Sequence, residues 1–170
     1  EKKLISVRGE ILLRIDNYVY LKGVLTFEKD NNISKDSLPT SSLSALIVSG
    51  EDLYGFVGTG FDEFNNKKPN KQALGLVLNE LSFGLAFIQD TNTNYYGLIA
   101  TAKSVTMQGV DKIELSSKNL TIKVNSSKNT GFDFTELSAG KIDISNNGLS
   151  LDFEKKLISV RGEILLRIDN

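Results

Sequence analysis

Apolar and polar residues alternate one by one along most of this chain. Ile5, Val7, Gly9, Ile11, Leu13 and Ile15 fall on one side of an extended backbone, with Ser6, Arg8, Glu10 and Arg14 on the other. A period of two is the mark of a half-buried β-strand, and eleven residues in phase give a strand of roughly 36 Å at ~3.3 Å per residue. The following segment repeats the pattern: Val19, Leu21, Gly23, Leu25 and Phe27 alternate with Tyr20, Lys22, Val24, Thr26 and Glu28.

The register between these two strands follows from which loop sets apolar against apolar. A two-residue turn pairs Leu13 with Tyr20 and Ile11 with Lys22, turning the greasy side of one strand to the polar side of the other. A three-residue loop, Asp16-Asn17-Tyr18, pairs Ile15 with Val19, Leu13 with Leu21, Ile11 with Gly23, Gly9 with Leu25 and Val7 with Phe27. The second register is the expected one, with each glycine making room for the large residue opposite.

Further on, residues 29–42 are polar, contain Pro39 and read as a loop, after which Leu43, Ala45 and Ile47 alternate. Gly55, Gly58 and Gly60 are expected in tight turns, since no Gly-Lys-Ser/Thr or strand-to-helix context supports a phosphate loop. Residues 72–89 fit both periods: Leu74, Leu78, Leu81, Leu85 and Ile88 at helical spacing, or Leu74/Leu76/Leu78 and Leu81/Phe83/Leu85/Phe87 as strands with a phase break at Asn79-Glu80. Gly75 and Gly84 would each cost a helix about 1 kcal/mol, and the phenylalanines favour a sheet, so strands are expected. Residues 81–107 then form a second hairpin through Asp90–Asn94, followed by short strands at Ile113/Leu115 and Leu120/Ile122/Val124. A third hairpin, with a loop from Ser145 to Gly148, sets Ile144 against Leu149 and Ile142 against Leu151.

The opening segment returns. Residues 154–170 repeat residues 1–17, EKKLISVRGEILLRIDN, without a change, an offset of 153 residues. The chain therefore reads as one full repeat unit, 1–153, followed by the first strand of the next, 154–170. The repeat-junction strand is Ile5, Val7, Ile11 and Leu13 in one copy and Ile158, Val160, Ile164 and Leu166 in the other. Identical stripes need identical cover, and a chain of this length is expected to supply it to only one of them.

Composition narrows the chemistry. Twenty Lys and Arg stand against twenty-one Asp and Glu with no basic block, so nucleic acid is not expected as a partner. With neither Cys nor His in the sequence, the common zinc sites and the Ser-His and Cys-His nucleophile systems cannot be built, and no enzyme is expected. No apolar run reaches membrane-spanning length. Asp90, Asn92 and Asn94 have the alternate-oxygen spacing of calcium loops but lack the glycine and glutamate that would complete one, so calcium is a weak candidate and no other cofactor is expected. Tyr18/Tyr20 and Tyr95-Tyr96 have the rings to stack on a glycan. Asn32, Asn119 and Asn125 lie in N-x-Ser/Thr triplets, to which no role is assigned.

The segments VYLKGVLTFEK, LYGFVGTGF, LGLVLNELSFGLAF and YYGLIATAKSVTMQGVDKIELSSKNLTIKVN, in this order, resemble the long tandem repeats of giant bacterial extracellular and surface proteins. The resemblance implies an adhesin-like or filament-forming role and supplies no catalytic residues. The expected architecture is all-β: an elongated unit of long antiparallel hairpins forming a continuous sheet or solenoid-like stack across repeats. The expected function is that of a structural repeat in a bacterial extracellular filament, stalk or surface layer, with identical neighbouring repeats, in the same or adjacent chains, as partners. The alternative is a carbohydrate- or cell-binding adhesin module.

Overall fold

In a computed structural model, residues 4–15, 18–35, 38–62, 68–90, 93–111, 113–127, 130–144 and 148–168 are described. The chain is all-β. Its strands are β1 (Leu4–Ile15), β2 (Val19–Lys35), β3 (Leu38–Asp62), β4 (Lys68–Asp90), β5 (Thr93–Gln108), β6 (Ile113–Ser126), the short β7 (Ile142–Asp143) and β8 (Ser150–Leu151), and β9 (Leu157–Ile168). Seven of them form one antiparallel sheet in the order β1-β2-β3-β4-β5-β6-β9, and β7 pairs with β8 apart from it. Each hairpin joins neighbours in sequence, so the sheet is a meander until the chain leaves β6 and returns as β9.

The β1/β2 register is the one that matches apolar to apolar: Ile15 lies opposite Val19, Leu13 opposite Leu21, Ile11 opposite Gly23 and Gly9 opposite Leu25. Residues 72–89 lie within strand β4, and the phase break falls on Glu80, whose φ of 47° places it in the left-handed region. Ile142 pairs with Leu151, and the Ile144 N–H donates to the Leu149 carbonyl at 2.9 Å.

Two expectations are corrected. Residues 29–35 and 38–42 do not form a loop, and residues 36–37 lie outside the described residues; the β2/β3 ladder runs on to Lys35 and Leu38, and Ile33, opposite Leu43, packs against the larger core. A polar stretch continues as strand because its backbone is already zipped to a partner and one apolar residue is placed to bury. Nor do Gly55, Gly58 and Gly60 make turns, since all three lie inside β3. They mark close approaches: a Cβ on Gly58 would run into the Leu74 carbonyl oxygen, and one on Gly60 would lie 2.8 Å from Ala73 Cα.

The reason for Gly23 also differs from the expected one. Ile11 lies opposite it in the ladder, but the side chain nearest an added Cβ is that of Leu53, whose Cδ2 would lie 2.5 Å away. Leu53 follows Asp52, which at φ 50° kinks β3 where the pairing slips between Lys22 and Val24. The bulge folds Leu53 over Gly23 and Gly50, and it is only 1% exposed there, next to Leu25 and Phe83. Asn119, at φ 52°, makes the corresponding break in β6, so the expected pair of short strands is one strand with a bulge.

The sheet carries its main core on one face only. Residues 130–144 and 148–156 form a cap over Leu43, Ala45, Ile47, Ala86, Ile88 and Ile99 and bury Phe132, Phe134, Leu137, Ile144, Leu151 and Phe153 against them. Two glycines on this face are sockets. The Ile144 side chain fills the place where a Gly84 Cβ would be, and the Phe134 ring stands 2.5 Å from one on Gly97. Tyr95, Phe132, Phe134 and Phe153 continue the contact edge to face, with centroids 4.9–5.8 Å apart. Nearer the other end of the strands a smaller cluster joins Tyr20, Phe56, Ala73 and Val77, with Phe61 stacked on Tyr20 at 4.2 Å.

Asn125 fastens the cap. Fully buried, it donates from Nδ2 to the Phe132 and Lys155 carbonyls at 2.7 and 2.9 Å and accepts from the Phe132 N–H at 3.0 Å. One side chain thus satisfies backbone groups from both ends of the cap.

Asn125→Ala leaves three backbone groups without partners, the two of Phe132 buried and that of Lys155 partly so, and at about 1–3 kcal/mol for each buried group before relaxation a net loss of about 2–4 kcal/mol is expected in urea unfolding. An unchanged midpoint would refute the clasp. Gly23→Val, which meets Leu53 and carries a φ of 147°, is expected to lose about 1–3 kcal/mol, as overpacking does.

Candidate functional site

The two copies of the repeated strand occupy the two edges of the sheet. β1 is paired to β2 through twelve consecutive positions, Leu4 to Ile15. β9 is paired to β6 from Leu157 to Ile168. Between them the chain reverses direction six times across the ladder, an even number, so β1 and β9 point the same way with their Ile/Val/Leu stripes on the same face. The row of backbone groups that β1 gives to β2 is therefore on the opposite side of the strand from the row that β9 gives to β6.

Identical residues meet different neighbours at the two edges. A Cβ on Gly9 would find nothing within 4 Å, whereas one on the equivalent Gly162 would lie 2.9 Å from Ser117 Oγ and 3.3 Å from Leu120 Cα and Cδ1. The cause is the β6 bulge at Asn119, which sets Leu120 across from Gly162 where the register skips from Lys118/Glu163 to Thr121/Arg161. The glycine of the repeat is thus explained by β6 and not by β2. Ser117 Oγ is buried there and has no hydrogen-bond partner among the described residues. Charge divides in the same way: Arg8 reaches Glu51 at 3.4 Å on the β1 side, and Arg167, the counterpart of Arg14, reaches Glu114 at 4.0 Å on the β9 side. Both pairs are exposed and worth at most about 1 kcal/mol.

Neither stripe is covered, a correction to the expectation that one would be. Ile5 and Val7 are 53% and 61% exposed, and Ile158 and Val160 75% and 63%. The cap lies on the other face, the one that Arg8, Glu10, Arg14, Lys22 and Glu28 share in the outer strands. Across the open face, direct partners form a row from Val7 through Phe27, Val48, Leu85, Leu98 and Val124 to Ile158.

The remaining candidates are scattered. Asn92 lies outside the described residues, while Asp90 pairs with Thr93 and Asn94 with Gln89, adjacent ladder positions that alternate to opposite faces. These two carboxylate and amide groups do not converge. Among the described residues no three His, Cys, Asp or Glu stand close enough to share a metal ion. Of the tyrosines, Tyr20 is buried and Tyr95 packs on Phe132; Tyr18 and Tyr96 are exposed, the first beside the β1/β2 turn and the second paired with Phe87 towards the other end of the strands. Asn125 is buried as the cap fastener.

A groove of about 760 Å3 follows the bulges on the cap face, lined by Asp52, Tyr54, Asn79, Glu80, Lys103 and Lys118. Lys103 Nζ donates to Glu80 Oε1 at 2.7 Å, and that hydrogen bond and charge raise the lysine pKa. Burial raises that of Tyr54. No helix among the described residues is long and apolar enough to cross a membrane.

Sequence reasoning found the repeated strand but missed what receives it: Ser117, Leu120, Glu114 and Glu51. The Asn119 break between Leu115 and Leu120 was the available signal for the bulge.

The same substitution at the two equivalent glycines isolates the β6 contact. Gly162→Val is expected to destabilise by about 1–3 kcal/mol in urea unfolding, with Gly9→Val near neutral because it enters open space. Equal losses at both positions would refute the distinction. No family model, curated protein or solved structure matches this chain.

Proposed function

We propose that the chain is a structural repeat of a bacterial extracellular filament, stalk or surface layer, in which successive copies share one strand and the sheet runs on from copy to copy. One observation carries this reading: a single twelve-residue sequence is paired by β2 at one edge and by β6 at the other, along opposite sides of the strand. One strand in the middle of a longer sheet accommodates both ladders at once. β9 is then β1 of the following copy, and an unprotected edge is left only at the ends of the array.

The ladder also sets the dimensions of such an array. Starting from Val7, direct partners lead to Ile158, the counterpart of Ile5; starting from Leu13, they lead through Leu21, Gly55, Leu78, Val105 and Ser117 to Ile164, the counterpart of Ile11. Each period therefore slips two residues, about 7 Å, while six strand spacings of ~4.8 Å advance it by about 29 Å. The resulting translation is about 30 Å per 153-residue period, with the strands nearly across the fibre. The spacing Asp90, Asn92 and Asn94 lacks the glycine and glutamate of a complete calcium loop, which favours an ion-independent assembly.

A chain carrying several periods in tandem is expected to appear as an extended ribbon. Its contour length in electron micrographs grows by about 30 Å per period, and neither that length nor the melting temperature changes with a calcium chelator. A globular particle, or collapse on chelation, would overturn the proposal.

A further inference from the structure

We propose that separate chains also join, by strand exchange: β1 of one chain takes the place of β9 on β6 of another. This rests on the shared-strand reading and adds a route by which unlinked copies assemble. The slot on β6 recognises the residues of β9 and nothing that distinguishes β9 from β1, because the two are identical from Glu154 and Glu1 onward.

The exchanged ladder follows from the observed one by the repeat offset. Val124 would face Ile5, Ile122 Val7, Thr121 Arg8, Lys118 Glu10, Ser117 Ile11, Leu115 Leu13 and Glu114 Arg14, as they now face Ile158, Val160, Arg161, Glu163, Ile164, Leu166 and Arg167. Leu120 and Ser117 would close over Gly9, filling the space that is open there and occupied at Gly162. β1 meanwhile keeps its pairing with β2, which uses the other side of the strand. Displacement is confined to β9, for Asn125 holds the Lys155 carbonyl and keeps the cap seated on its own sheet.

What opposes exchange is tethering. β9 is attached to its slot at an effective concentration on the order of millimolar, so the intact chain is expected to remain monomeric at micromolar concentration. Weakening β9 alone removes that advantage. Gly162→Val is therefore expected to convert monomers into head-to-tail oligomers whose size rises with concentration in analytical ultracentrifugation, and Gly9→Val added to it restores the monomer. Oligomers that persist in the double variant would mean stacking through the open apolar face and would overturn the proposal.

A peptide makes the test independent of the variants' folding. The synthetic peptide EKKLISVRGEILLRIDN, in excess over the unmodified chain, is expected to bind and to raise amide hydrogen exchange in residues 157–168 at least severalfold, and the same peptide carrying Gly9→Val does neither. Equal binding of both peptides, or of neither, would refute exchange. A covalent array shares its strand with no exchange step, so failure here leaves the ribbon geometry standing, and a compact tandem chain would overturn the ribbon without touching the peptide result.

Discussion

A strand in a sheet presents two rows of backbone N–H and C=O groups, one on each side, and each row has to be satisfied. This constraint organises the whole molecule. The interior strands satisfy both rows through neighbouring hairpins, and β6 does so by accepting β9 after the chain has detoured through the cap. The packing is secondary to the ladder. A cap fastened by Asn125 and seated on Gly84 and Gly97 covers part of one face, and among the described residues no second layer covers the other, where Leu53 and Leu25 are buried only within the sheet's own surface. The cohesion of the sheet thus rests more on pairing along long ladders than on a core enclosed from both sides.

Regularity is broken at a few defined places. Asp52, Glu80 and Asn119 adopt left-handed backbone conformations within their strands, at a local cost that extended residues avoid. The breaks at Asp52 and Asn119 re-aim the side chain that follows them. Leu53 is turned over Gly23, and Leu120 over Gly162, so that a bulge in one strand is matched by a glycine in its neighbour. This is how an otherwise uniform alternation acquires positions that only one partner fits, which is what holds a long strand in a single register.

Much of the ladder was legible in the sequence, and the reason is physical. The β1/β2 register followed from alternation and loop length, because a slip of one residue would invert every side chain, and the Ile142/Leu151 hairpin followed in the same way. At Asn79-Glu80 the loss of phase marked the bulge. Features that period two does not encode were missed. Continuation of β2 and β3 through a polar stretch depends on a neighbouring backbone, and the use of Gly23 depends on Leu53, which arrives from a third strand. Asn125 looked like an ordinary sequon and proved to be the fastener of the cap. At the edges, the duplication was plain in the letters, but Ser117 and Leu120 lie far from either copy in sequence, and only their placement shows which partner the glycine serves.

The even number of reversals between β1 and β9 has a consequence for any ribbon built on this plan. With an odd number each copy would be turned over relative to the last, and the sides of the ribbon would average out. With six, every copy stands the same way up, so caps recur along one side at each period and the bare apolar surface runs along the other. The two tips also differ, one offering the side of the strand that β2 would take and the other the side meant for β6. Such a ribbon has a direction, and a molecule that docked on it would be able to tell one end from the other and front from back.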